Sequence, residues 1–106
     1  MPRDAREAFH DVIEQELNAE RAAVLGKAGR KMEAALAECA QASEVLAAAG
    51  PEHRPAAIDG YRAAFRRYQD ARMGLCIYRE ALGLNDHRRV DEIFRPPPPP
   101  PPRDKA

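Results

Sequence analysis

The sequence predicts an all-α protein: a long antiparallel helical hairpin with an Ala-rich heptad seam, a short C-terminal helix behind it, and two copies joined as a dimeric four-helix bundle. Two matching ladders carry the hairpin. In 25–49, Leu25, Met32, Cys39 and Leu46 alternate with Ala28, Ala35, Ala42 and Ala49 at steps of three and four, which places all eight on one helical stripe. In 57–82, Ala57, Ala64, Ala71 and Tyr78 alternate with Tyr61, Tyr68, Leu75 and Leu82 in the same way. Each helix therefore has one large row and one small row. Run antiparallel, every large residue can face a small one, and the axes can approach more closely than the usual spacing of about 8–10 Å. Composition agrees: 106 residues, Ala-rich and without Trp, suffice for one small domain with a thin core.

In chain order, the first helix is expected to begin at Asp4, because Asp4 and Glu7 stand at capping-box spacing. Its front stripe is Phe9, Val12, Ile13 and Leu17, among the acidic residues Glu7, Asp11, Glu14, Glu16 and Glu20. Gly26 and Gly29 then interrupt good helix formers, each costing about 1 kcal/mol relative to Ala. They mark a kink or a place where another helix comes close, and spacing alone does not choose. Gly50 suits a left-handed helix end and Pro51 forbids continuation. After a short connection, Gly50 to Arg54, Pro55 occupies the first-turn position and a second helix runs from about Ala56 to Leu82. Gly83 and Leu84 fit a Schellman end. Asp86 or Asn85 can cap a third, short helix through Phe94, with Val90, Ile93 and Phe94 as its apolar residues. Residues 1–95 thus form the helical domain and 96–106 a polyproline tail, disordered or extended.

The tight connection sets the register. It pairs Leu46 with Ala57, Ala42 with Tyr61, Cys39 with Ala64, Ala35 with Tyr68, Met32 with Ala71, Ala28 with Leu75, and Leu25 with Tyr78. Continued past Gly83, it pairs Ile13 with Val90 and Phe9 with Phe94. A register seven residues larger keeps the alternation and ranks second. One seam leaves Leu36, Val45, Ile58 and Phe65, with Val24, off the interface. These four, Leu36, Val45, Ile58 and Phe65, are the candidate dimer or partner surface, buried in a four-helix bundle by two-fold symmetry. The competing arrangement is a monomer whose 9–17 segment folds back as a third helix.

Basic and acidic residues balance at 17 each, so the whole chain has no pull toward nucleic acid or anionic membrane. The halves differ: residues 1–50 hold six Lys/Arg and nine Asp/Glu, and 51–106 hold eleven and eight. No apolar run approaches the roughly 20 residues of a membrane span, and Met1-Pro2-Arg3-Asp4 leads straight into charged sequence, so a cytoplasmic location is expected. The two cysteines, Cys39 on the seam and Cys76 beside it, fall on the order of 18 Å apart in this register, too far for a disulfide.

Arg62, Arg66, Arg67, Arg72 and Arg79 give the second helix a basic flank, the candidate anion-binding surface, joined by Arg88 and Arg89. Because the tyrosines fall on the seam and Asp59 and Asp70 interleave, a salt-bridged face is the first reading and nucleic acid the second. Seven prolines, Pro96 to Pro102, form a stiff polyproline II rod whose ends, Arg95 and Arg103, complete both orientations of an SH3-type pattern. An inert tail matches the same composition. Glu7 and His10, with Glu14 a turn further, have the helical spacing used in di-iron bundles, but only one copy is present, and no metal or other cofactor is expected. His53 and His87 have no catalytic partner visible in the sequence.

The stretch Tyr78-Arg79-Glu80-Ala81-Leu82-Gly83-Leu84-Asn85-Asp86-His87, with Ala28 to Lys31 earlier, resembles a family of small bacterial helical proteins of unknown function. The resemblance implies a helical fold and a bacterial origin and adds no mechanism; the proline tail departs from it. The expected role is a non-enzymatic module for self-association or protein interaction, a homodimer with a further protein partner possible. The alternative is nucleic-acid or anionic-ligand binding through the arginine flank.

Overall fold

The two ladders fold as two helices because nothing between Ala5 and Ala48, or between Pro55 and Ala81, removes a backbone donor or forces a turn. The structure, a computed structural model, describes residues 5–102, and for 17 and 20–24 the backbone alone. The predicted cap at Asp4, the tail's Arg103, and the side chains of Leu17, Glu20 and Val24 lie outside the described residues. Helix α1 spans Ala5–Ala48, α2 spans Arg54–Ala81 and α3 spans Arg88–Ile93. The regular structure of the described residues is entirely helical, in a rod of 75 × 20 × 18 Å.

Helix α1 ends differently from the expectation. Gly50 is not left-handed; Gly83 is the one described residue with positive φ. The reason lies in Pro51, which excludes helical geometry from the residue before it and stops α1 without a left-handed cap. The Gly50 carbonyl instead accepts from the His53 and Arg54 amides at 3.1 and 2.9 Å, so α2 begins two residues earlier than expected, with Pro55 in its first turn. At the other end the Schellman pattern forms. Gly83, at φ 82°, donates to the Glu80 carbonyl at 2.9 Å and Leu84 to the Arg79 carbonyl at 2.8 Å.

The seam is the core. Ala28, Met32, Ala35 and Cys39 of α1 are buried in one cluster with Tyr61, Ala64, Tyr68 and Leu75 of α2, and Leu25, Ala42, Leu46 and Ala71 pack against it. Ala57 is buried as well. The Arg67–Glu38 ion pair bridges the helices one step off the expected layers. Tyr78 departs from the ladder and is 48% exposed. It would have shared a layer with Leu25, and two large residues do not fit where the other layers seat one large and one small.

Helix α3 does not continue the line of α2, which corrects the pairing of Ile13 with Val90 and Phe9 with Phe94. A left-handed glycine turns the chain away from the helix axis, so α3 returns over the middle of the hairpin. Val90 is buried in the core cluster and Phe94 packs against it. The return is fastened by Arg72, whose Nε and Nη2 donate to both carboxylate oxygens of Asp91 at 2.8 and 3.0 Å. Arg79 adds a bond to the Asp86 carbonyl at 2.9 Å. Asp86 in turn accepts from the Arg88 amide at 3.1 Å, holding the start of α3.

Nor does α1 fold back, as the monomeric alternative required. It is one helix of 44 residues against 28 for α2. Its front overhangs the hairpin by the difference of sixteen residues, about 24 Å at 1.5 Å per residue. Gly29 marks a close approach: a β-carbon there would stand 3.6 Å from Phe94 Cζ.

Candidate functional site

Past Phe94 the chain enters Pro96–Pro102 and runs back along α2 toward the hairpin turn. The Tyr61 hydroxyl donates to the Pro98 carbonyl, and Arg62 Nη1 donates to the Pro101 carbonyl at 3.3 Å. These carbonyls are three residues apart, one turn of a polyproline II helix, so both lie on one edge of the rod. Phe94, Pro97 and Pro100 are half-buried at the same period. Burial raises the pKa of Tyr61, with the Cys39 thiol adding to the effect, which keeps the phenol protonated as a donor. Tyr61, Phe65 and Tyr68 form an aromatic row, with ring centroids 6.3 and 5.6 Å apart.

This third pass alters the candidate dimer surface. Ile58 is 2% exposed within the single chain; it lies on α2 one turn before Tyr61 and Arg62, the residues that hold the proline rod. Leu36 and Phe65 are half-buried against the core. Of the four residues, Val45 alone stays open, at 57%. The expectation that one hairpin leaves these side chains bare is therefore corrected for three of them, which are buried or half-buried within the single chain.

The arginine flank is largely committed to the protein itself. Arg62 holds Pro101, Arg67 pairs with Glu38, Arg72 grips Asp91, and Arg79 bonds the Asp86 carbonyl. The hydrogen bonds from Arg72 hold the Asp91 carboxyl below its ordinary pKa range. Arg66 is exposed beside them.

Among the described residues, two open apolar features stand out beside scattered exposed residues such as Met73, Ile77 and Ile93. The first is a groove of about 700 Å³ at the closed end of the hairpin, lined mainly by Ala42, Val45, Ala49, Ala57 and Gly60, with His53, Glu38 and Arg67 also on its lining. The second is the stripe on the overhang, with Phe9, Val12 and Ile13 exposed by 69, 51 and 40%.

Ionisable clusters are few among the described residues. His10, Asp11 and Glu14 bring ligand-type atoms within 4.8 Å of one another at the exposed front of α1, with His10 Nδ1 3.9 Å from Glu14 Oε2. That set differs from the Glu7, His10 and Glu14 spacing read from the sequence, and its groups are exposed or half-buried rather than in a dry interior. His53 lies in the turn, and His87 Nε2 is 2.8 Å from Glu80 Oε1. Cys39 and Cys76 are free and buried, and burial, then the Glu38 charge, pushes the Cys39 thiol up, away from nucleophilic thiolate.

Sequence reasoning missed three participants: the Tyr61 hydroxyl, Asp91 as the partner of Arg72, and Gly29 as the seat of Phe94. The spacing of Phe94, Pro97 and Pro100 carried a readable signal, since period three matches polyproline II. Among the described residues no helix is long and apolar enough to cross a membrane. Compared with family models, curated proteins and solved structures, the chain matches none.

Proposed function

We propose that the chain is a non-enzymatic helical interaction module that self-associates, two copies lying antiparallel as a four-helix bundle. The observation that carries this reading is the overhang of α1, where Phe9, Val12 and Ile13 stand exposed on one helical face. A contiguous apolar stripe of this kind marks an interaction surface.

The occupant is a second copy. A two-fold axis across the middle of the rod sets each overhang beside the other copy's closed end, where the Ala-lined groove is open. Small residues there admit Phe9 and Ile13 as knobs. The acidic front of α1 then meets His53 and Arg67 on the groove lining. Because each copy gives one overhang and one groove, the contacts are reciprocal and the assembly closes at two.

Light scattering over a range of concentrations tests this. The expected mass is twice that of the 11.8 kDa chain. Phe9→Asp returns it to the single chain with helicity intact. Gly60→Leu does the same by filling the groove, since a β-carbon at Gly60 meets nothing within 4 Å in the single chain. A strict monomer at every concentration sinks the proposal.

A further inference from the structure

We propose that the α2 face around Tyr61, Arg62 and Phe65 is a recognition groove for polyproline II peptides, with the chain's own Pro96–Pro102 as its resident ligand and a proline-rich segment of another protein as its external one. This goes beyond self-association and uses a different face of the hairpin.

Polyproline II recognition needs aromatic walls and donors that reach backbone carbonyls, because proline lacks an amide hydrogen and its exposed polar atom is the carbonyl oxygen. Both are present. Tyr61 and Arg62 donate to Pro98 and Pro101, and Phe65 and Pro100 line one opening of about 920 Å³ with Arg66, Gln69 and Met73. The donors come from consecutive residues of a rigid helix, and the acceptors from successive turns of a rigid rod, so little ordering entropy opposes the contact. What is recognised is the period of the carbonyls, and any chain with that period presents it. Among the described residues the resident segment is attached through two such bonds and half-buried rings. Tethering gives it a local concentration in the millimolar range, which is why it occupies the groove in the isolated chain.

The test uses the full-length chain with Pro97, Pro98, Pro100 and Pro101 all replaced by Gly, which removes the preformed rod and leaves α1, α2 and α3 unchanged. The probe is a synthetic peptide of the 95–103 sequence, titrated by calorimetry. The opened chain is expected to bind it saturably and at least tenfold more tightly than the unaltered chain. Adding Tyr61→Phe should weaken binding about fivefold, the worth of one hydrogen bond near 1 kcal/mol. A peptide with the same arginines around Gly and Ser should not bind. Equal binding of both peptides, equal binding by opened and unaltered chains, or no binding by a fully helical opened chain overturns the proposal. So does a doubled mass of the unaltered chain that is lost on opening the groove, which would make the external occupant the tail of a second copy. If the opened variant loses its helical circular dichroism, the unaltered chain decides. Excess peptide at millimolar concentration must abolish the nuclear Overhauser contact between the Tyr61 ring and Pro98, whose carbonyl accepts from the Tyr61 hydroxyl, and persistence of that contact overturns the proposal.

Discussion

Gly29, in the middle of α1, lies beneath the ring of Phe94, whose Cζ stands 3.6 Å from the place a β-carbon would take. That separation is ordinary van der Waals contact, so alanine fits. Gly29→Ala should raise stability by about 1 kcal/mol through helix propensity and lift the melting temperature by about 4–8 °C. Gly29→Leu should lower stability by about 1–3 kcal/mol, because its branch displaces Phe94. Thermal melts of the two variants check the sign of each.

Arg72 and Asp91 clamp α3 to α2, and that clamp is sensitive to acid. The Asp91 pKa is depressed in the folded chain, chiefly by the hydrogen bonds from Arg72. A depressed carboxylate contributes stability that is full above its unfolded value, about 3.9, and is lost as pH falls through the lower folded value. The clamp should therefore hold unchanged from pH 7 to about 5 and weaken below about 4. The methyl resonances of Val90 should then shift toward unfolded positions. In Asp91→Asn they should be partly shifted already at pH 7, with a flatter response to acid.

Ala35 is 5% exposed in the core cluster, and Ala40, five residues on, faces solvent. Ala35→Leu should cost about 1–3 kcal/mol by overpacking the layer expected to hold Tyr68, and Ala40→Leu should change stability by less than about 0.5 kcal/mol. Urea midpoints compare them directly. Equal effects would mean that the layers are paired differently.

The Cys39 thiol, 1% exposed and pushed up by burial, should resist alkylation at neutral pH until the chain unfolds. Its rate of modification across a urea series should follow the loss of helical signal. Modification before any helical loss would place Cys39 nearer the surface.

The seam was legible because its signal is dense and local: Met32, Ala35 and Cys39 repeat at the helical period and meet a complementary row of Tyr61, Ala64 and Tyr68. The position of α3 was not, since extending the register past Gly83 assumes a straight continuation. The left-handed turn there sends Val90 back into the middle of the hairpin. The proline contacts escaped for another reason. They use main-chain carbonyls of Pro98 and Pro101, which every residue possesses and no side-chain pattern advertises. The arginines were found as a group, but their partners lie 19 and 29 residues away for Arg72 and Arg67, distances that periodicity within one helix does not reach.

The overhang gives α1 two characters along one unbroken hydrogen-bond ladder. Around Met32 and Cys39, opening an amide requires separating three passes of chain, so hydrogen exchange there should report global unfolding. Around Phe9 to Ile13 the apolar side chains are exposed, so little packing opposes local fraying among the described residues, and a short helix segment is marginal in water by itself. Exchange should therefore quicken by orders of magnitude toward the front of α1, and this gradient should collapse wherever a partner covers the overhang. A single helix thus holds two cooperative units, and the boundary between them reports whether the front is occupied.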